Sequence, residues 1–219
     1  MKSFIQFIYE TNVNSPQLTQ VATTGGTYNK SGVLLRDKLP PKSRVLNFGA
    51  GLSHTGEELG KGLNGEHGEH GEHVHHDFEP YPENRKVPPD YTEASQIPRD
   101  HYHAVVCHNV LNVLEPHVRE QAMRSMFDSV KDGGHIVIGA RKWSGDVNTN
   151  KNFEPGEEEK SMWVKKGGAT SYQKGFDGKE LKDYAEDFAR RNGHQVEVKR
   201  VPLAANGVHI RVIKKGSIE

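Results

Sequence analysis

Seven consecutive residues, Asn47-Phe48-Gly49-Ala50-Gly51-Leu52-Ser53, have the make-up of a turn that cradles a ligand. Glycines let the backbone turn sharply and let a ligand approach amides that a Cβ would shield. The first turn of a following helix adds free N–H donors. Such a turn suits a nucleotide or an amino-acid carboxylate, and it also serves simply as a tight turn. Roughly 30 residues further on lie Asp77 and Glu79, where a carboxylate can accept both hydroxyls of an adenosine ribose or stay solvated in a loop. His108 and Asn109 close a third apolar run. Asn109 can orient an acceptor and His108 can take up a proton, while a histidine at a strand end also serves as a satisfied structural residue. The segment Arg141-Lys142-Trp143-Ser144-Gly145-Asp146, with Trp163, Lys165, Tyr172 and Lys174, is basic and aromatic. It can clamp a nucleotide by stacking, or form a solvated loop anchored by its tryptophans. His67, His70, His73, His75 and His76 bind zinc or nickel opportunistically. A Gly-Glu-His repeat lacks the fixed geometry a specific site needs, so no metal site is expected there.

The spacing of apolar residues supplies the elements that position these groups. Ser31 is placed to cap a helix carrying Val33, Leu34, Leu35 and Leu39, stopped by Pro40-Pro41. Arg44–Phe48 reads as a buried strand, and a helix follows through Glu57, Glu58 and Leu59. A second strand rises through Val74 to end near Asp77-Phe78-Glu79-Pro80, and a short third one falls near Tyr91-Thr92. Ala104–Cys107 is a buried strand. Pro116 opens a helix with Val118, Ala122, Met126 or Phe127, and Val130 on one side. Asp132-Gly133-Gly134 ends it, and His135–Gly139 is the next strand. Leu181, Tyr184, Ala185 and Phe188 mark a last helix, stopped by Asn192-Gly193. Two strands, Val196–Val201 and Val208–Ile213, finish the chain as a hairpin. Strands alternating with helices make an α/β fold, a mostly parallel sheet covered on both faces with an antiparallel ending.

Composition narrows the function. Lys+Arg and Asp+Glu both number 29, so no global basic field holds nucleic acid non-specifically. The single cysteine, Cys107, excludes an internal disulfide and a cysteine-rich zinc site. No apolar run approaches the roughly 20 residues of a membrane span; a soluble, cytoplasmic protein without a membrane partner is expected. Residues 1–28 read as an N-terminal arm and 29–219 as one domain, with the low-complexity Gly-Glu-His loop at 65–73.

Val45-Leu46-Asn47-Phe48-Gly49-Ala50-Gly51, Phe78-Glu79-Pro80, Ala104–Leu114 and Gly133–Ile138 resemble, in order, motifs I, II, IV and V of class I S-adenosylmethionine-dependent methyltransferases. The resemblance spans about Ser31 to Arg141. It implies a Rossmann-like, seven-stranded sheet and S-adenosylmethionine as cofactor, with S-adenosylhomocysteine as product. The acceptor is a nucleotide, a nucleic acid or a small molecule. By the same resemblance Gly49, Ala50 and Gly51 pack against the methionine part of the cofactor. Glu79, with Asp77 as second choice, takes the ribose, and Thr92 to Ser95 lie near adenine. His108 and Asn109 line the transfer pocket, and Arg141, Trp143 and Asp146 face the acceptor. Asn47 stands where the family opens motif I with an acid, and Ser53 replaces a third glycine. The place of the Asp/Asn-Pro-Pro run of DNA amino-methyltransferases holds His108-Asn109-Val110-Leu111, and Cys107 lacks the preceding proline of cytosine C5 enzymes. "NVLNVLE", Arg119 and "SYQKGFDGKEL" resemble phage and bacterial methyltransferase-like proteins associated with DNA modification. The decapeptide Met1–Glu10 resembles phage head-targeting leaders and equally fits a plain amphipathic arm. For a phage-encoded chain the location would be the host cytoplasm. A non-catalytic, phage-derived binding module with this fold is the alternative; a nicotinamide dehydrogenase fits less, since the three-glycine fingerprint is incomplete.

Overall fold

The computed structural model describes residues 25–51, 54–65, 67–68, 72–79, 86–144, 147, 153–166, 169–205 and 207–217; the expectations for the N-terminal decapeptide and for Asp146 lie outside them. In chain order the elements are α1 (Gly25–Arg36), β1 (Arg44–Phe48), α2 (His54–Asn64), β2 (Val74–Phe78), β3 (Tyr102–His108), α3 (Pro116–Ser129) and β4 (Val130–Arg141). There follow β5 (Phe153–Pro155), β6 (Ser161–Lys166), β7 (Ala169–Lys174), α4 (Gly178–Arg191), β8 (His194–Arg200) and β9 (Gly207–Ser217).

The main sheet has the order β2-β1-β3-β4-β9-β8. Strands β2, β1, β3 and β4 are parallel, and β9 inserts antiparallel between β4 and β8. This is the mixed, mostly parallel α/β sheet expected, with six strands among the described residues rather than seven. The strand expected near Tyr91-Thr92 is a single bridge between Tyr91 and Phe78. Pro88 and Pro89 immediately before it have no N–H to continue a ladder.

Alternate residues of each strand face opposite layers. Leu46, Phe48, Val105, Cys107, Ile136 and Ile138 pack with Met126 and Phe127 of α3 and Phe188 of α4. Val45, Val106 and Val137 face Tyr28 and Leu35 of α1 and Leu59 of α2. On this second face α1 and α2 meet backbone to backbone. A Cβ on Gly32 would lie 2.6 Å from the Leu59 carbonyl oxygen, and one on Gly62 would collide with that of Asn29.

Several boundaries differ from expectation. Helix α1 begins at Gly25, so Ser31 is mid-helix and buried rather than a cap, and its hydroxyl donates to the Thr27 carbonyl at 3.1 Å. Thr27 and Tyr28 are buried as well, so packing reaches back before residue 29. Helix α3 stops at Ser129, and Asp132-Gly133-Gly134 forms an irregularity within β4, between the Tyr102–Val130 and Ala104–His135 pairings. The segment read as irregular holds a second sheet, β5-β6-β7. It is tied to α3 by Arg119, 1% exposed. The guanidinium donates to both oxygens of Glu158 at 3.0 and 2.9 Å and to the carbonyls of Leu111 and Leu114, each at 2.8 Å.

The Gly-Glu-His insertion is closed at its base by one side chain. Asn64, at the end of α2, donates to the His73 carbonyl at 2.9 Å and accepts from the His73 amide at 3.0 Å. Strand β2 therefore starts in register whatever the length of the loop before it.

Candidate functional site

The glycine turn and both acids meet at the C-terminal edge of β1 and β2. Gly49 and Gly51 have φ of 68° and 60°, the left-handed region that glycine enters without strain. The amides of Gly49 and Ala50 both donate to the Phe78 carbonyl at 2.9 Å, fastening the turn to the end of β2. The Val110 side chain occupies the space a Cβ on Gly49 would need. Glu79, 4% exposed, accepts the Gly51 amide at 2.5 Å.

Asp77 is held differently. It pairs with Asn47 in the β1–β2 register, and its carboxylate accepts the Asn47 Nδ2–H at 3.0 Å. That carboxylate lies against the first turn of α2, where a Cβ on Gly56 would come within 2.8 Å of Oδ2. Asn47 is fully buried. Its Nδ2 also reaches the Thr55 hydroxyl, which donates to the Ala50 carbonyl, while its Oδ1 has no hydrogen-bond partner among the described residues. A buried amide oxygen left this way is a costly acceptor waiting for a donor. Thr92 is half-buried beyond the end of β2, and its amide donates to Gln96 Oε1 at 3.0 Å, fixing the turn over 94–96.

His108 and Asn109 part company at the end of β3. The His108 ring points into the α1 face, where Nε2 and the Ser31 hydroxyl are 2.8 Å apart and the Tyr28 ring stands edge-on at 5.0 Å. A Cβ on Gly139 would collide with Nδ1, which is buried without a partner. Burial, and then the neighbouring His209, push its pKa down to about 3. A ring so enclosed and so weak a base is a poor proton acceptor at neutral pH. Asn109 is half-buried and has φ of 58°, a conformation asparagine tolerates. Its amide donates to the Gly139 carbonyl at 2.9 Å.

The basic, aromatic segment is divided. Arg141 and Trp143 are half-buried at the end of β4, and the Trp143 backbone packs on Gly175. Tyr172 and Lys174 are internal. The Tyr172 hydroxyl donates to Glu158 at 2.6 Å, and Lys174 bonds Glu180 at 2.5 Å and the Glu159 carbonyl at 2.6 Å. Burial works against both charges of the Arg119–Glu158 pair, but their mutual hydrogen bonds outweigh it, raising the arginine pKa and lowering the glutamate's. These groups build the second sheet and are not available to clamp a nucleotide.

Sequence reasoning passed over three residues. Ser31 and His209 hold or flank His108, and Asn112 is fully buried with neither end of its amide bonded. His209 was readable as the outward side of an alternating strand. The strand lies inside the sheet, however, so both of its sides are covered.

No family model matches the sequence, and no curated protein matches it either. Solved structures do match in fold. A Burkholderia thailandensis 1,6-didemethyltoxoflavin-N1-methyltransferase, with bound 1,6-didemethyltoxoflavin and S-adenosylhomocysteine, is 12% identical with a TM-score of 0.53, over 98% of this chain and 87% of that one. A SAM-dependent methyltransferase from Methanosarcina mazei is 14% identical with a TM-score of 0.56, over 84% and 98% of the two chains. A Rhodobacter sphaeroides protein described as a Zn-dependent alcohol dehydrogenase is 15% identical with a TM-score of 0.61, over 99% and 100%. At these identities the likeness is one of fold, the Rossmann-like α/β fold of class I methyltransferase structures. Among the described residues no helix is long and apolar enough to cross a membrane.

Proposed function

We propose that this chain is an S-adenosylmethionine-dependent methyltransferase acting on a nucleotide, nucleic-acid or small-molecule acceptor. One observation carries the reading: the Glu79 carboxylate reaches the Gly51 amide across the edge between β2 and β1, so the acid and the glycine turn face one space. The residues there fit the cofactor. Glu79 would accept the ribose hydroxyls, and the turn at Gly49–Gly51 would admit the methionine portion. Oδ1 of Asn47, buried and unpaired, is an acceptor suited to an ammonium. The acid missing at position 47 stands one strand away, since Asp77 accepts from the Asn47 amide and polarises it. Asp77 is then a positioning residue and Glu79 the ribose ligand. The cofactor supplies an electrophilic methyl group. The chain's own part is to hold the acceptor in line beside it, a placement worth several kcal/mol without any base. Asn109, on the left-handed turn after β3, would orient that acceptor.

Calorimetric titration with S-adenosylmethionine and S-adenosylhomocysteine tests the reading. Micromolar binding is expected, weakened about tenfold or more in Glu79→Ala, the effect of losing one or two charge-assisted hydrogen bonds. Absence of binding at millimolar ligand would sink it. The internal position of His108 favours a second reading, a binding module with this fold and no transfer activity. A radiolabelled methyl-transfer screen over DNA, RNA and small acids separates the two, and its DNA arm tests the narrower likeness to phage DNA-modification proteins.

A further inference from the structure

A cavity of about 310 Å³ opens at the C-terminal ends of β4 and β8, between the chain at 201–205 and the start of α4. Lys142, Arg200 and His209 line it together with Pro202 and Val208, and among the described residues lining it none is acidic. The Lys142 ammonium donates to the Ala205 carbonyl at 2.7 Å, which fixes it at the cavity wall with two N–H groups to spare. The Arg200 guanidinium lies along Gly178, where a Cβ would collide with it, and it forms no ion pair among the described residues. Asp177, the nearest carboxylate in sequence to that glycine, is taken up by the amides of Lys179 and Glu180 and by Lys160.

His209 is the informative side chain. It is only 8% exposed and makes no hydrogen bond among the described residues. Its Cδ2 side abuts Gly139, where a Cβ would lie 2.6 Å away, and its ring stands 5.5 Å from that of His108. The opposite edge faces Gly207, another lining residue, where a Cβ would come within 2.7 Å of Cε1 and 3.1 Å of Nε2. An imidazole that bonds no described side chain or carbonyl, at the wall of a cavity lined by two cations, is a donor open to an anion in that space.

We propose that this cavity takes a single anionic group, a carboxylate or a phosphate, of the methyl acceptor, with Arg200 and Lys142 paired to its oxygens and His209 donating a hydrogen bond. Naming the occupant as acceptor rests on the methyltransferase reading; the anion site itself does not. In the sheet order β4 lies two strand spacings from β1, about 10 Å, and β8 four, about 19 Å, so an acceptor anchored here must be long enough to present its far end to the glycine turn. Two cations around one small cavity match one anionic group rather than the continuous track a polynucleotide backbone requires. Burial, and then Lys142, push the His209 pKa down to about 4, so the ring is neutral at pH 7 and has one N–H to give.

The test is an NMR titration of the full chain with inorganic phosphate and, separately, with benzoate, following the His209 ring proton, assigned by its loss in His209→Gln. A bound anion favours the imidazolium, so the His209 pKa should rise measurably toward its ordinary value with at least one of the two. Arg200→Gln should weaken that anion about tenfold or more with the amide spectrum otherwise unchanged. A response to phosphate alone assigns a phosphorylated acceptor, and to benzoate alone a carboxylic acid. No response to millimolar amounts of either, or a response that survives both Arg200→Gln and Lys142→Gln, overturns the site. S-adenosylmethionine titrated into the same samples keeps the two readings apart. Cofactor binding without an anion response leaves the methyltransferase reading standing and removes the cavity's role. An anion response without cofactor binding overturns the assignment of the occupant as acceptor.

Discussion

The two faces of the sheet are built on different principles. The face under α3 and α4 is filled with large apolar side chains, Phe127, Phe188, Met126 and Ile138 among them, and its buried charges Arg119 and Lys214 are bonded to Glu158 and to main-chain carbonyls. The face under α1 and α2 is thinner. Its helices touch at Gly32 and Gly62, and Tyr28, Ser31, His108 and His209 stand at the end nearest the candidate site. Bulk side chains hold the first face, and close backbone approach and a few polar contacts hold the second. The functional groups gather where apolar packing gives way to the polar layer.

Four measurements sharpen or break this contrast. Arg119→Met should cost the most, about 3–5 kcal/mol in urea unfolding, because Glu158 and two carbonyls lose their shared partner; a loss under 1 kcal/mol would show that the second sheet is held by something else. Gly62→Ala should cost about 1–3 kcal/mol, since a methyl there must push α1 off α2. Should it prove silent, the helices are not in the contact described. The histidines give the thin face a pH dependence. A folded pKa near 3 for His108 and near 4 for His209 lies below the unfolded value near 6.5, so the unfolded chain binds the protons first. Stability should therefore be intact above pH 6.5 and fall below it, by about 1.4 kcal/mol per pH unit for each ring, until about pH 4 for His209 and about pH 3 for His108. Replacing His108 with glutamine should flatten that slope by one proton. Asn112→Leu should do least, leaving the melting temperature unchanged or raised, because it removes two buried groups that have no partner. A drop of several degrees would show that the amide is bonded in solution.

Much of this architecture is legible in the sequence, and the failures have physical causes. Strands β1, β3 and β9 and helices α3 and α4 announce themselves by apolar spacing, by Pro116 and by the Asn192-Gly193 stop. The opening turns of α1 are hidden because they begin with Gly25-Gly26-Thr27, poor helix formers that are held by packing on α2. The second sheet is hidden because Arg119, Tyr172 and Lys174, which read as surface residues, are buried by pairing with Glu158 and Glu180. For His108, a strand covered on both faces carries no alternation to tell which way a residue points. Val105 and Val106 look alike in sequence and face opposite layers. The glycine turn and Glu79 were readable because backbone geometry, rather than side-chain direction, decides where they sit.

The Asn64 clamp has a consequence for how the molecule can vary. The first two Gly-Glu-His triplets lie between Asn64 and His73, the two points that this side chain fastens together. Adding or deleting a triplet changes the length of a closed loop and nothing in β2 or at Glu79. Doubling such a loop costs only about 0.6 kcal/mol, less than a typical hydrogen bond. The repeat number is therefore nearly free to drift between related chains, one triplet at a time, beside a ligand edge that cannot move.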